Sequence, residues 1–542
     1  MTNDQATSSY GEYISKSIKL LESSTENNNS YLKIDVKQFP VGQDYNVYLS
    51  QVRSACNQKI GALFDVVMLE ATVLGDLADC LVDLSKWDQY ITNGFSAGFL
   101  TNSYVNGRLV SLPTEADLGV IYFNAEVLAR YSSQGPPYSF DDIESMATAV
   151  LTALRAVDNY GFSGYTAQFA GEYLTAQVAE WLRGYNNSAI IDPTTGYVAI
   201  ETNSVAEVIQ RISEWTTTNI IDPNDFLNPA VSTYQTSSGI AAAMTNDPSV
   251  VRFAAGNSLF LRHWASTYPI LLSALSFDWG VGPVVGWDSH MNVGAVGGWG
   301  FGVYKYSTNP TAAVKVVNWL ASKGMQRSAV VRDGLNIIPT RQDLYSDSAV
   351  CTHIGQDLCD IFRNATPALR PSSLVGHHYN NVSNIISSQM ATFFMTSETI
   401  VDAITNLAAE LLIELNQTRV SNTISVDPSA VGKKIPTHMQ AQLMGLAGVI
   451  LITCVTVYML KRRQIDDGIK DASEKIKTLA QAAKQEVIMK TQRRADLDFG
   501  ANEFAHLDEE IDSDDKVAPL SQKGGKSGRG YSIVGAEKDD FI

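Results

Sequence analysis

The side chains that could do chemistry are carboxylates, a pair of histidines and a few scattered cysteines. Glu70 and Asp117 are two acids that could in principle work as a pair on a glycosidic bond, one giving a proton and the other activating water or attacking. The sequence sets no separation for them. His377 and His378 have no partner at metal-ligand spacing and read as surface histidines. There is no H-E-x-x-H and no Walker A sequence. The glycine run Gly294–Gly302 is no dinucleotide loop, because a strand-like stretch follows it where a helix would be needed. No enzyme, metal or cofactor is expected. Cys454 lies in a long apolar stretch, which leaves Cys56, Cys80, Cys351 and Cys359. An even count permits disulfides in three connectivities. Local pairing, Cys56–Cys80 and Cys351–Cys359, is the expectation, with four unpaired core thiols as its rival.

The chain has 542 residues, 45% hydrophobic and 18% charged, with a net charge of −17. That is ample material for a core. It is a poor composition for gripping phosphates, which takes clustered Lys and Arg, so no nucleic-acid partner is expected. Residues 461–542 hold 15 basic and 17 acidic residues, so the acidity belongs to the first 438.

Met439–Leu460 contains no charged residue and is followed at once by Lys461, Arg462 and Arg463. About 20 apolar residues cross a bilayer, and a basic cluster marks the inner side. The reading is a single membrane span at 439–460, with a cytoplasmic C-terminus and residues 1–438 extracellular or lumenal. No signal peptide is visible. The sequons at Asn28, Asn186, Asn364, Asn381 and Asn416 all precede the span and are candidate glycosylation sites. Beyond it, Ile465, Ile469, Ala472, Ile476, Leu479 and Ala483 keep a heptad spacing, so 461–490 could form a short coiled coil and a homodimer. Residues 427–438 read as a linker and 491–542 as a mostly disordered tail.

The elements that must position any site alternate along residues 1–426. Tyr13, Ile14, Ile18 and Leu21 share a helical stripe, and Tyr31–Val36 alternates like a strand. Phe64–Leu69 (FDVVML) is a short apolar strand, and Leu74–Leu81 is helical. Leu109–Pro113 and Val120–Phe123 read as two further strands. Ser139, followed by Asp141, Asp142 and Glu144, opens a helix to Ala156. Helices follow at Tyr173–Leu182, Ser204–Thr217, Thr311–Ser322 and Glu398–Leu415, with a strand at Leu259–Leu261. Alternation of this kind is α/β.

The order of these segments resembles the extracellular solute-binding proteins of bacterial sugar importers, nearest the trehalose/maltose-binding branch. The segments are FDVVMLEATVLGDLADCLVDLSKW (Phe64–Trp87), GRLVSLPTEADLGVIYFNAEVL (Gly107–Leu128), PPYSFDDIESM (Pro136–Met146), AAGNSLFLRHW (Ala254–Trp264), the glycine-tryptophan run from Gly294, GLNIIPTRQDLY (Gly334–Tyr345) and ALRPSSLVGHHYNNVSNII (Ala368–Ile386). The resemblance implies a two-lobed periplasmic-binding-protein type II fold, with hinge strands and a ligand in the cleft. It implies that the first lobe lacks its opening strand. It implies ligand roles for Glu70, Asp117, Trp264, Gly298, Trp299 and Arg370, with Glu115 at a position that is aromatic in that branch. Val73 stands where the family often has Trp. Such a pocket is more acidic and less aromatic than the family norm.

Together these readings describe a membrane-anchored extracellular protein that captures a small carbohydrate for sensing or uptake. The rival is an adhesion or partner-binding ectodomain with a degenerate cleft.

Overall fold

The computed structural model describes residues 14–23, 32–40, 45–61, 63–87, 91–131, 136–227, 247–287, 291–332, 335, 337–418 and 529–531. Six strands form the central sheet: β1 (Val66–Glu70), β2 (Leu112–Asn124), β3 (Ser163–Ala167), β4 (Ser258–Trp264), β5 (Trp279–Pro283) and β6 (Val296–Val303). Their order is β1-β6-β2-β4-β3, with β5 also paired to β2. Among these pairs β3–β4 is parallel and the others are antiparallel.

The 13-residue β2 is a strand of two halves. Leu112–Leu118 pairs with β6, and Gly119–Asn124 pairs with β4 and β5. Each half carries one lobe. In the first lobe, Val66 and Met68 of β1 and Phe301 and Val303 of β6 turn into one core with α5 (Pro310–Leu320) and α6 (Lys323–Val331). Val67 and Leu69 point the other way, onto Tyr48 and Val52 of α1 (Tyr45–Asn57). That alternation is the period of two of a strand covered on both faces. In the second lobe, Ile121 and Phe123 pack among Phe140, Trp181, Trp215 and Trp287. Around them lie α2 (Phe140–Arg155), α3 (Glu172–Arg183), α4 (Asn203–Thr217), α7 (Tyr379–Met395) and α8 (Ile400–Glu414).

Local signals account for several boundaries. The Ser139 hydroxyl accepts from the Asp142 amide and opens α2. The expected stripe at Ile14, Ile18 and Leu21 is the buried face of a helix at 14–23, to which Trp319 donates at the Ser17 carbonyl (3.2 Å). Tyr31–Val36, by contrast, yields only one bridging residue at Ile34, and the two expected strands around 109–123 merge into β2. Cys56 is bonded to Cys80 and Cys351 to Cys359.

The lobes meet around a fully buried ion pair. Arg262 of β4 donates from Nε to Glu180 Oε2 (2.8 Å) and from a second nitrogen to Oε1, and neither side chain has exposed area. The amide of Ala295, just before β6, donates to the same Oε1 (2.7 Å). Both side chains press on Gly119, the residue at which β2 changes partners, and any Cβ there would overlap them.

The single-pass membrane localisation is corrected: among the described residues no helix is long and apolar enough to cross a membrane. The longest of them, α7, has 17 residues with many Asn and Ser, against the roughly 20 apolar residues a span requires. Residues 439–460 themselves lie outside the described residues, as do the linker 427–438 and the coiled-coil segment 461–490. Within the tail, Arg529–Tyr531 is a short strand paired antiparallel with Gln38–Pro40, where disorder was expected.

Removing one member of a buried ion pair strands the other. Glu180→Gln should lower the unfolding free energy by roughly 3–5 kcal/mol. Chemical denaturation with a fluorescence readout checks it, and an unchanged midpoint would show that the pair adds nothing to stability.

Candidate ligand-binding site

Three neighbouring strands put an acid, an aromatic and an acid side by side. Glu70 on β1 is opposite Trp299 on β6, and Trp299 is opposite Glu115 on β2. Directly opposed residues of antiparallel strands share a face, so these side chains form a row. A bulge between Pro113 and Glu115 sets the register of the row. Gly298, beside Trp299, has φ +113° and would drive any Cβ into the Glu115 carbonyl, so glycine brings the two strands together here.

A cleft of about 290 Å³, counting the part open to solvent, lies against this row. Its walls include Glu115, Gly298 and Trp299, with Phe99, Asn102, Ser111 and Thr340. Ala71 and Leu74, which follow Glu70, close one side. Tyr45 stands at the back. Its hydroxyl accepts from the Glu70 amide (3.1 Å), and its ring meets Trp299 edge-on at 5.3 Å.

The remaining expected residues lie outside these walls. Asp117 accepts from the amide and hydroxyl of Ser266 (3.1 and 2.7 Å) and from the Leu118 amide (2.9 Å). It holds the turn after β4. Trp264 is buried over Gly297, with the guanidinium groups of Arg262 and Arg370 at 4.6 and 5.6 Å from its ring centre. That is a cation–π arrangement. Arg370 donates to Glu172 Oε1 and to the Val296 carbonyl, both at 2.6 Å, and lies 3.5 Å from Glu70 Oε1. Glu172 also accepts from Tyr379 and Ser383. The one arginine of this group is therefore spent on two carboxylates, one at the start of α3 in the second lobe and one on β1 in the first.

Burial governs the acids. It pushes Glu70 up to about 7, with Arg370 working against the rise and Glu172 for it. It pushes Glu115 up to about 8, helped by the nearby charge of Asp117. Asp117 is also raised by burial, against the pull of its Ser266 bonds. At neutral pH Glu115 is mostly a neutral acid, able to donate a hydrogen bond as well as accept one.

Asn102, Ser111, Tyr45, Glu172 and Tyr379 were not singled out by the sequence. They are single polar or aromatic residues in segments without periodicity, and carry no motif. A G-x-S-x-G run does occur at Gly94–Gly98. A hydrolase elbow places its serine on a sharp strand-to-helix turn. Ser96 instead follows a single bridging residue, Phe95, and leads into the five-residue helix Ala97–Thr101. Among the described residues no group of three His, Cys, Asp or Glu is placed to hold a metal. His378 pairs with Glu414 (2.7 Å). Asn186, Asn364, Asn381 and Asn416 are exposed, and Asn28 lies outside the described residues.

The fold and cleft can now be set beside known proteins. A family model described as bacterial extracellular solute-binding protein matches residues 21–353, more than half of the chain. The chain belongs to that family. A probable ABC transporter-binding protein of Deinococcus radiodurans is 27% identical over 366 residues, covering 66% of this chain and 80% of its own. Among solved structures, maltose-bound MalE3 of T. maritima superposes with a TM-score of 0.55 at 22% identity, over 74% of this chain and 96% of its own. A cyclic α-maltosyl-1,6-maltose binding protein from Arthrobacter globiformis gives 0.58 at 16% identity, over 76% and 97%. At these identities the superpositions show the fold, two α/β lobes of the periplasmic-binding-protein kind.

The raised acids give a pH signature. The folded protein holds protons on Glu115 to about pH 8 and on Glu70 to about pH 7, which the unfolded chain releases near 4.5. The unfolded state therefore binds fewer protons in this window, and stability falls as pH rises through it. Glu115→Gln should flatten the fall and raise stability at pH 8 by at least about 2 kcal/mol. Denaturant midpoints from pH 5 to 8 measure this. Parallel profiles for the two proteins would contradict the burial of Glu115.

Proposed function

We propose that this solute-binding protein captures a small carbohydrate in its interlobe cleft, for uptake or sensing. The observation that carries the reading is the row Glu70–Trp299–Glu115. Sugar rings offer two kinds of surface. Their C–H faces lie flat on aromatic rings, and their hydroxyls pair with carboxyl groups. The row presents both kinds at strand spacing. The cleft is poor in available positive charge, since Arg370 is committed to Glu172 and Glu70. That favours a neutral, hydroxyl-rich ligand over an anionic one. The sugar ligands named for the T. maritima and A. globiformis structures agree with this chemistry. The departures at Val73 and Glu115 from the trehalose/maltose branch argue for a ligand of this chain's own.

A thermal-shift screen of the full chain tests the proposal, using mono- and disaccharides and polyols with amino acids as controls. A ligand at 100 times its Kd should stabilise the fold by about 2.7 kcal/mol. Trp299→Ala should weaken the best saccharide at least about tenfold by removing its stacking surface. A folded protein that answers to none of the saccharides, or only to amino acids, would overturn the reading.

A further inference from the structure

Three buried polar atoms on the cleft wall have no hydrogen-bond partner: Asn102 Oδ1, Ser111 Oγ and Glu115 Oε2. Asn102 is 5% exposed and Ser111 not at all. They come from separate pieces of chain. Asn102 follows the short helix Ala97–Thr101, Ser111 immediately precedes β2, and Glu115 lies beyond the bulge in β2. All three line the same recess, whose enclosed part has room for roughly one water-sized sphere. A buried polar atom without a partner is destabilising, so three around one small space call for something polar to occupy it. A buried water typically makes about three hydrogen bonds. The three groups match a hydroxyl in both senses. Asn102 Oδ1 accepts only, Ser111 donates or accepts, and Glu115, held protonated by its burial, can donate.

We propose that Asn102, Ser111 and Glu115 form a subsite for a single hydroxyl oxygen, held by water in the free protein and entered by one hydroxyl of the bound ligand. This deepens, and rests on, the reading of the cleft as a carbohydrate site. Trp299 supplies the flat surface for the ring, and the recess beside it fixes which hydroxyl points inward. The subsite makes the protein selective for ligands that carry a free hydroxyl at that one position. A deoxy analogue leaves the three atoms unpaired, and an O-methyl analogue is too large to enter.

Two measurements on the full chain test it. The first is a crystal structure without sugar, at a resolution that shows ordered water. One oxygen within about 3.2 Å of all three atoms is expected. A dry recess, or three side chains turned to pair with each other, overturns the subsite. The second is calorimetric binding of maltose, glucose and ribitol to wild type, Ser111→Ala, Ser111→Val and Trp299→Ala, each checked for wild-type circular dichroism. For whichever probe binds best, Ser111→Ala should weaken binding roughly five- to tenfold. Ser111→Val, which fills the recess, should weaken it further. If Ser111→Val fails to fold, Ser111→Ala decides the matter. A probe that binds, is lost with Trp299→Ala and ignores both Ser111 variants overturns the subsite while the carbohydrate reading stands. Failure of all three probes to bind the folded wild type counts against the carbohydrate reading, and with it the ligand role of the recess.

Discussion

The backbone register of β2 is the constraint on which both lobes are built. One strand lends its first half to β6 and its second to β4 and β5. The lobes therefore share a continuous run of backbone. At Gly119, where the strand changes partners, the Arg262–Glu180 pair is packed directly on the chain. A pair buried this deeply gains little net stability over apolar residues of the same size. Its value lies in direction. The fork of Arg262 and the bond from Ala295 to Glu180 fix how α3, β4 and the start of β6 meet. The acids and the aromatic of the cleft inherit their positions from that meeting.

Much of this fold was legible in the sequence, and the exceptions have physical causes. The period of the helix at 14–23 and the Ser139 cap of α2 could be read directly. So could β1, whose five residues are all buried. The middle of β2 could not. Thr114, Glu115, Ala116 and Asp117 break the apolar pattern and read as a loop between two strands. Within the strand Glu115 is on the cleft wall, Asp117 holds the turn at Ser266, Thr114 donates to the Trp299 carbonyl and Ala116 packs in the first-lobe core. α7 hid for another reason: its buried face includes Ser383 and Ser387 beside Val382, Ile386 and Met390, which blurs the helical stripe. For the cleft, family motifs pointed to Glu70, Glu115 and Trp299, which the structure sets in one row. The same motifs pointed to Trp264 and Asp117, which the structure places outside this row, against Arg262, Arg370 and Ser266. A motif specifies a residue type and cannot show what else that residue touches.

The cleft is acidic and yet carries less charge than its composition implies. Desolvation moves Glu70 and Glu115 into the neutral range, and Arg370 balances much of what remains. The group of side chains that results is polar and close to uncharged. Arg370 also draws a carboxylate from each lobe, Glu172 at the start of α3 and Glu70 at the end of β1. The side chain therefore links the two lobes.

The bulge between Pro113 and Glu115 has a consequence for how such a protein can change over generations. A strand normally cannot gain or lose a single residue, because every side chain beyond the change would swap faces. A bulge is a place where one residue has already been absorbed. Insertions and deletions confined to 113–115 can re-aim the cleft wall while Leu118–Asn124 keep their partners in the second lobe. The cleft wall and the pairing of the second lobe are thereby open to independent drift within a single strand.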